Sequence, residues 1–297
     1  MSESTLSTLP DLSPVVGLRA RINGYGAMVD APQDSSPDTT TDEYAKEQAT
    51  VNIRKTLDYI LPHVRQQNAR RVLDIGCGVG TMVKTLLEQG YDAYGTDLQG
   101  LERFWSVQNL PCDRFFIVDA SNTRLPFRNS SIDLAFTLGV IEHVGTSDGH
   151  ANRMTDYHAI RRAWVREALR VVKVGGCLLI GGPNRNFPVD VAHGLDSRAS
   201  GIEKFLSCQI GASVHRIWGE NFLWGYSDLR SYLADLPCEI EAQSVAGYVG
   251  FSRVPRPLRG LVEGYIDHLP RFFLATGFNP WMMALVRKTA AFPEEEK

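Results

Sequence analysis

Much that would mark a special class is missing from this sequence of 297 residues. It has five cysteines, Cys77, Cys112, Cys177, Cys208 and Cys238, and none lies at the close spacing of a zinc knuckle, a redox dithiol or an iron–sulfur site. An odd and scattered set reads as the reduced thiols of a cytoplasmic protein rather than a disulfide framework. No stretch comes near the roughly 20 apolar residues of a membrane-spanning helix. Met1 to Ala20 has no basic start leading into an apolar run, so no secretory signal is expected. Charge of one sign is lacking too. The 31 Lys and Arg face 34 Asp and Glu, a formal net charge of −3, which offers no electrostatic footprint for broad nucleic-acid binding.

What is present is an ordinary globular composition, 43% hydrophobic and 22% charged. The length fits one large α/β domain or two small ones. Residues 1–42, rich in Ser, Thr, Pro and Asp, read as a flexible N-terminal arm, and residues 289–297 as a charged tail. From Thr41 or Asp42 a capped helix is expected through Tyr44, Val51, Ile53, Leu57, Ile60 and Leu61, ending near Pro62. Strands are expected at 71–75, 93–97, 115–118, 132–138 and 177–181, alternating with helices. The longest helix covers about 156–173, with Gly175-Gly176 as its stop. That alternation implies a doubly wound parallel sheet with right-handed crossovers. Beyond it, 183–225 reads as a loop-rich excursion, 227–236 as a helix capped by Ser227, 239–245 as a strand, 256–277 as an inserted helix and 281–286 as a last strand.

The segment Val72-Leu73-Asp74-Ile75-Gly76-Cys77-Gly78-Val79-Gly80-Thr81 carries the most chemistry. A strand runs into a turn with three alternate glycines, and a helix follows. Without Cβ atoms the backbone there can lie against a ligand at the start of a helix. A dinucleotide-binding loop spaces its glycines G-x-G-x-x-G; here the spacing is G-x-G-x-G, and Asp74 stands two residues before it. An acid at that point repels pyrophosphate and suits an ammonium group. Asp97, closing the second strand, can accept bonds from both hydroxyls of a ribose. Asp119-Ala120, after the third strand, can meet an adenine amino group. Together these describe an adenosine with a cationic, amino-acid-like tail.

With Ile141-Glu142-His143-Val144 after the fourth strand and Glu167 to Gly176 leading into the fifth, the chain resembles the class I S-adenosylmethionine-dependent methyltransferases, most closely over Val72 to Pro183. The resemblance implies a Rossmann-like seven-stranded sheet in the order 3-2-1-4-5-7-6, an N-terminal helix, and helical and loop lid insertions at about 183–226 and 247–279. One methyltransferase domain would cover 43–288. It implies S-adenosyl-L-methionine as cofactor. Asp74, Gly76, Cys77 and Gly78 would line its methionine end, Asp97 and Leu98 would meet ribose and adenine, and Asp119 and Ala120 the base. Leu138 and Gly139 would lie beneath the sulfonium.

His143 is the candidate general base, since imidazole titrates near neutral pH; the other reading is a His that shapes the pocket. Glu142 and His193 are further catalytic candidates. Some related O-methyltransferases bind a divalent metal through Glu-x-x-Glu-His, but Gly139 replaces the first Glu, so no metal is expected. Asn184 and Arg185 offer donors to an acceptor, while Phe187, Trp218, Phe222, Trp224 and Tyr226 line a pocket, form a small core or make a partner surface. The inserted helix packs on the core, covers the pocket or makes peripheral contact with a membrane; its basic neighbours include Arg259 and Arg271. Thr137-Leu138-Gly139-Val140 lacks the Pro-Pro-aromatic motif of amino-methylating enzymes of DNA. A hydroxyl on a small hydrophobic, aromatic or glycosidic molecule is therefore the expected acceptor. N- or C-methylation and a non-catalytic cofactor-binding scaffold are the alternatives. Asp97→Ala should weaken S-adenosylhomocysteine binding without unfolding the protein; unchanged affinity in calorimetry would reject the ribose assignment.

Overall fold

The central strands of the main sheet, Arg71–Ile75, Ile132–Leu138, Val172–Pro183 and Trp281–Lys288, carry short apolar runs, and the alternation along them sets the two faces. The computed structural model describes residues 50–98, 102–107, 109–118, 124–147, 152–190, 195–210, 213–217, 221–248 and 256–292. The expected arm, residues 1–42, lies outside them. The strands of the large sheet are β1 (Arg71–Ile75), β2 (Asp92–Asp97), β3 (Phe115–Ile117), β4 (Ile132–Leu138), β5 (Val172–Pro183), β8 (Cys238–Ala242) and β9 (Trp281–Lys288). They lie in the order β3-β2-β1-β4-β5-β9-β8. β1 to β5 run parallel, and β9 is antiparallel to both neighbours. Two short strands, β6 (Val189–Asp190) and β7 (Ser213–Val214), pair apart from this sheet. Leaving them out of the count gives the expected 3-2-1-4-5-7-6.

Helices cover both faces, as a parallel sheet requires. On one face Val72, Leu134, Phe136, Leu179 and Met283 pack against Tyr59, Ile60 and Val64 of α1 (50–66) and Val83 and Leu86 of α2 (Thr81–Glu88). On the other, Leu73, Ile75, Ala135, Leu178 and Ile180 meet Val165, Ala168 and Leu169 of α4 (Tyr157–Arg170). Leu229, Tyr232 and Leu233 of α6 (Tyr226–Leu233) join them. Between these, α3 (Glu102–Val107) precedes β3, α5 (Gly201–Ile210) precedes β7 and α7 (Arg256–Asp267) follows β8.

Four sequence expectations need correction. α1 runs past Pro62 to Gln66, because a π-turn at Thr56–Ile60 precedes the proline. Leu61 N–H closes that wider turn on Thr56 O, so the ring enters at the first turn of a fresh α segment, where no N–H is required. The helix before β5 stops at Arg170, and Gly175-Gly176 do not cap it. Val172 already pairs with Ile132, and pairing resumes only at Leu134 with Cys177, so the glycines sit in a bulge. A Cβ on Gly176 would lie 2.6 Å from Asp133 O. The excursion after β5 contains the β6–β7 pair and α5. Finally, α6 is capped from Gly225, whose N–H donates to Asp228 Oδ2 at 2.9 Å, and not by Ser227.

Gly80 and Gly90 both have left-handed φ angles, +81° and +84°. A Cβ on Gly80 would lie 2.7 Å from Leu110 and 2.8 Å from Phe115, both buried; one on Gly90 would meet open space. Gly80→Ala should therefore cost about 2–4 kcal/mol and Gly90→Ala about 1. Urea unfolding of the two variants checks the difference, and equal costs would reject the steric assignment.

Candidate active site

The site is built at the C-terminal ends of β1, β2, β4 and β5, where the chain order reverses across the sheet. Open α/β sheets bind ligands at such a switch point. β1 ends at Ile75, and the N–H groups of Gly76 and Cys77 both donate to Thr96 O on β2, at 2.8 and 3.0 Å. Gly76, Gly78 and Gly80 all take positive φ. At Gly76 a Cβ would lie 2.4 Å from Val140, so glycine is forced by close packing of the segment after β4. At Gly78 nothing lies within 4 Å of that position, and the loop faces open space there. Trp105 on α3 pins it by donating to Gly78 O at 2.8 Å.

Asp97, at the end of β2, accepts from Gly78 N–H at 2.5 Å and from Leu98 N–H at 2.7 Å. Burial raises its pKa and these two bonds lower it, burial being the larger effect. Asp74 is buried, and burial first and the charge of Asp97 second push its carboxyl well above the ordinary range. Cys77 is buried in the core on the same side, and burial, then Asp74 and Asp97, raise its thiol. The loop amides at 76, 77 and 78 are thus committed within the protein, while two acids stand together behind an open backbone. Such an arrangement favours a cation over a phosphate.

Across from the loop stands a second wall. Gly139 ends β4 with φ +75°. A Cβ there would be 3.7 Å from Glu142 Oε1 and 3.8 Å from the Trp281 indole. On β5, a Cβ at Gly182 would lie 2.5 Å from Trp224 Nε1 and 2.9 Å from Glu142 Oε2. Gly182 therefore leaves room for the Glu142 carboxylate, which is 1% exposed, while Gly139 stands at ordinary contact distance from it. Tyr248 is packed 6.1 Å from Trp281 and 5.3 Å from Tyr59, centroid to centroid. Burial raises its phenol, and the charges of Glu142 and then Asp74 add to that. Behind the wall, the buried Arg161 donates to Val144 O at 2.9 Å, Glu142 O at 3.0 Å and Phe222 O at 2.6 Å. It fixes the turn that carries Glu142.

Residues 73–180 match the family model of the methyltransferase domain. The chain carries a class I S-adenosylmethionine-dependent methyltransferase domain. Its fold is similar to that of an S-adenosylmethionine-dependent methyltransferase from Clostridium acetobutylicum, 14% identical, with a TM-score of 0.50 over 84% of this chain and 100% of that one. A Haloferax volcanii methyltransferase complex with the Trm112 activator aligns at 14% identity and TM-score 0.45, over 86% and 98% of the two chains. An O-methyltransferase family protein from Burkholderia thailandensis aligns at 13% and 0.43, over 84% and 60%. No curated protein matches the chain. S-adenosylmethionine is the methyltransferase's cofactor, and the open backbone at Gly78 beside buried Asp74 and half-buried Asp97 fits its charge and its diol.

The methyltransferase brings Asp74, Gly76, Cys77, Gly78, Asp97 and Leu98 together on one side and Leu138, Gly139 and Glu142 on the other. Asp119, Ala120 and His193 lie outside the described residues, as do Trp218 and His150. His143 is half-buried in the turn after β4, its N–H bonded to Val140 O at 2.9 Å and its carbonyl accepting from Thr146 Oγ1 at 2.7 Å. Among the described residues no group of three or more His, Cys, Asp or Glu could hold a metal.

Two expected acceptor donors are engaged elsewhere. Asn184 donates to Thr276 O at 2.9 Å and Asn279 O at 2.8 Å, and Arg185 pairs with Asp228 at 3.1 Å. Phe222, Trp224 and Tyr226 are buried, and Trp224 and Tyr226 belong to the core. Arg153 of the loop before α4 is locked in a buried ion pair with Asp196 at 3.0 Å. Tyr59, Tyr248 and Trp281 were missed as site residues. Their only mark in the sequence is an aromatic ring in an otherwise apolar run.

Because Asp74 has a raised folded pKa, its ionisation costs stability. Its contribution is most favourable at low pH and declines as pH rises from the ordinary carboxylate range through the raised value. Asp74→Asn should therefore raise the melting temperature of the cofactor-free methyltransferase at neutral pH, by about 2–4 °C for each kcal/mol relieved. The same change should weaken S-adenosylhomocysteine binding by about tenfold or more. A lower melting temperature, or unchanged affinity in calorimetry, would overturn the electrostatic reading.

Proposed function

We propose that the protein transfers the methyl group of S-adenosylmethionine to a hydroxyl oxygen of a small hydrophobic, aromatic or glycosidic acceptor. In this reading the catalytic domain spans 43–288, with 183–226 and 247–279 as its lid. Asp74, Gly76 and Gly78 hold the methionine end of the cofactor, Asp97 the ribose hydroxyls, and Leu98 packs on adenine. Leu138 and Gly139 underlie the sulfonium. The five free cysteines support a cytoplasmic setting. A nicotinamide dinucleotide reading loses support, since the loop amides a pyrophosphate would need are bonded to Thr96 O and Asp97.

The bound cofactor supplies a methyl carbon made electrophilic by its sulfonium. What the chain must do is hold the acceptor oxygen in line with that carbon, keep water out and remove one proton. The new C–O bond forms as the C–S bond breaks, the electron pair stays on sulfur, and the hydroxyl proton passes to the protein. The observation that carries this reading is the Glu142 carboxylate, buried beside Gly182 on a turn whose main-chain carbonyl at Glu142 accepts from Arg161. A positioned carboxylate serves an acceptor that must lose a proton. His143, next in the chain and half-buried, is the alternative proton acceptor.

Glu142→Gln should lower kcat by about 10²–10⁴, with S-adenosylhomocysteine affinity nearly unchanged; His143→Gln should lose far less. The measurement is transfer of labelled methyl to phenols, quinols, glycosides and amines. Loss on His143→Gln with an active Glu142→Gln would move the proton to His143. Transfer confined to amines would replace O- with N-methylation.

A further inference from the structure

Most cations in this fold have an acid or main-chain carbonyls beside them; Arg161 and Lys288, for example, donate to carbonyl oxygens. Arg71 and Arg114 pair with Asp92, Arg166 with Asp235, Arg170 with Glu167 and Lys173 with Asp133. Lys55 does not. Among the described residues its ammonium makes no ion pair or hydrogen bond, and its one recorded contact is with the ring of Tyr248, 4.7 Å from Nζ to centroid. The side chain is half-buried, and burial lowers its pKa. Leaving a cation partly desolvated without a counter-charge is costly. Lys55 also sits immediately before the π-turn of α1, the turn that carries Tyr59, and π-turns within α-helices concentrate at functional sites.

Tyr248 ties this ammonium to the active site. Its ring lies between Tyr59 and Trp281, and its hydroxyl senses the charges of Glu142 and Asp74. Trp281 in turn meets the same point above Gly139 that Glu142 Oε1 approaches. The order of groups is therefore a carboxylate at Glu142, two flat rings at Trp281 and Tyr248, and an unpaired ammonium at Lys55. An acceptor with a hydroxyl at one end, an unsaturated or apolar body and an acid at the other matches that order. Without Lys55, such an acid would face Asp74, Asp97 and Glu142, and only the cofactor's charge would oppose them.

We propose that Lys55 binds a carboxylate of the acceptor, so that the methyltransferase acts on hydroxylated apolar or aromatic acids. A single ammonium on a flexible stem suits one carboxylate; a phosphate ordinarily draws an arginine fork or a cluster of donors. The assignment rests on the reading of Glu142 as the hydroxyl end of the site.

The test uses the full chain saturated with S-adenosylhomocysteine and matched probe pairs that differ in charge: 4-hydroxybenzoate, 4-hydroxycinnamate and 6-hydroxy-2-naphthoate, each against its primary alcohol. Calorimetry should show at least one acid binding about tenfold or more tighter than its alcohol. Lys55→Gln should abolish that preference, Lys55→Arg should keep part of it, and neither should change S-adenosylhomocysteine affinity. Acids that bind no better than the alcohols, or a preference that survives Lys55→Gln, would overturn the assignment. Methyl transfer from S-adenosylmethionine to the same probes separates the two readings. Acid preference without transfer to oxygen would keep the Lys55 site and remove the O-methylation reading; transfer without acid preference would do the reverse.

Discussion

Two carboxylates, buried Asp74 and half-buried Asp97, at the ends of adjacent strands are the constraint around which the rest is arranged. β1 and β2 pair in register from Arg71 with Asp92 to Ile75 with Thr96, which brings Asp74 and Asp97 to the same end of the sheet. Each raises the cost of ionising its surroundings, and Cys77 between them is affected as well. A protein alone would be more stable with amides in these places. A ligand that brings positive charge and hydroxyl donors would offset that cost. Of the three loop glycines, Gly78 leaves an open backbone beside the acids, while Gly76 and Gly80 answer to close packing against Val140, Leu110 and Phe115.

Facing that charge, the protein uses rigid supports. Arg161 is a buried guanidinium whose charge is met by carbonyl dipoles of Glu142, Val144 and Phe222 and by the face of Tyr157, 5.1 Å away. One side chain thereby joins α4, the turn after β4 and the segment before α6. Asn184 does the same for the end of β5 and the start of β9 through Thr276 O and Asn279 O. Sites held by such bonds keep their geometry more exactly than sites on free loops. The polar residues after β5 that looked like substrate ligands are engaged in this scaffolding.

The sequence made the cofactor half legible and the acceptor half obscure, for a physical reason. Strand, loop, helix and acid between Val72 and Asp97 are consecutive, so local pattern carries their geometry. β4 was readable to the residue because its run is apolar and bounded by turns. β5 was not. Its first residues, Val172 to Gly176, sit in a bulge whose glycines mimic a helix stop, and only pairing with Ile132 and Leu134 reveals them. The wall of Tyr59, Trp281 and Tyr248 joins α1, the start of β9 and the turn after β8. No spacing rule links residues brought together by a sheet crossover and an antiparallel return. Ser227 had the chemistry of a cap, yet Gly225 took the position because Asp228 reaches back to its N–H.

This division also bears on how specificity is held. The segment that matches the family ends at residue 180, before the last residues of β5, the excursion after it and β9. Glu142 lies inside that segment; Trp281, Tyr248, Tyr59 and Lys55 lie outside it. On the proposed roles, the proton-accepting end of the site is carried by the shared sheet, and the groups that would measure the rest of an acceptor are carried by its two flanks. α7 shows the same split in one helix, with Ile266 buried in the core and Leu261 74% exposed. Function in this fold resides in the site and not in the sheet. On the proposed roles, a change of acceptor would call for changes in α1, the turn after β8 and the start of β9, with the acidic pair and its glycine loop untouched.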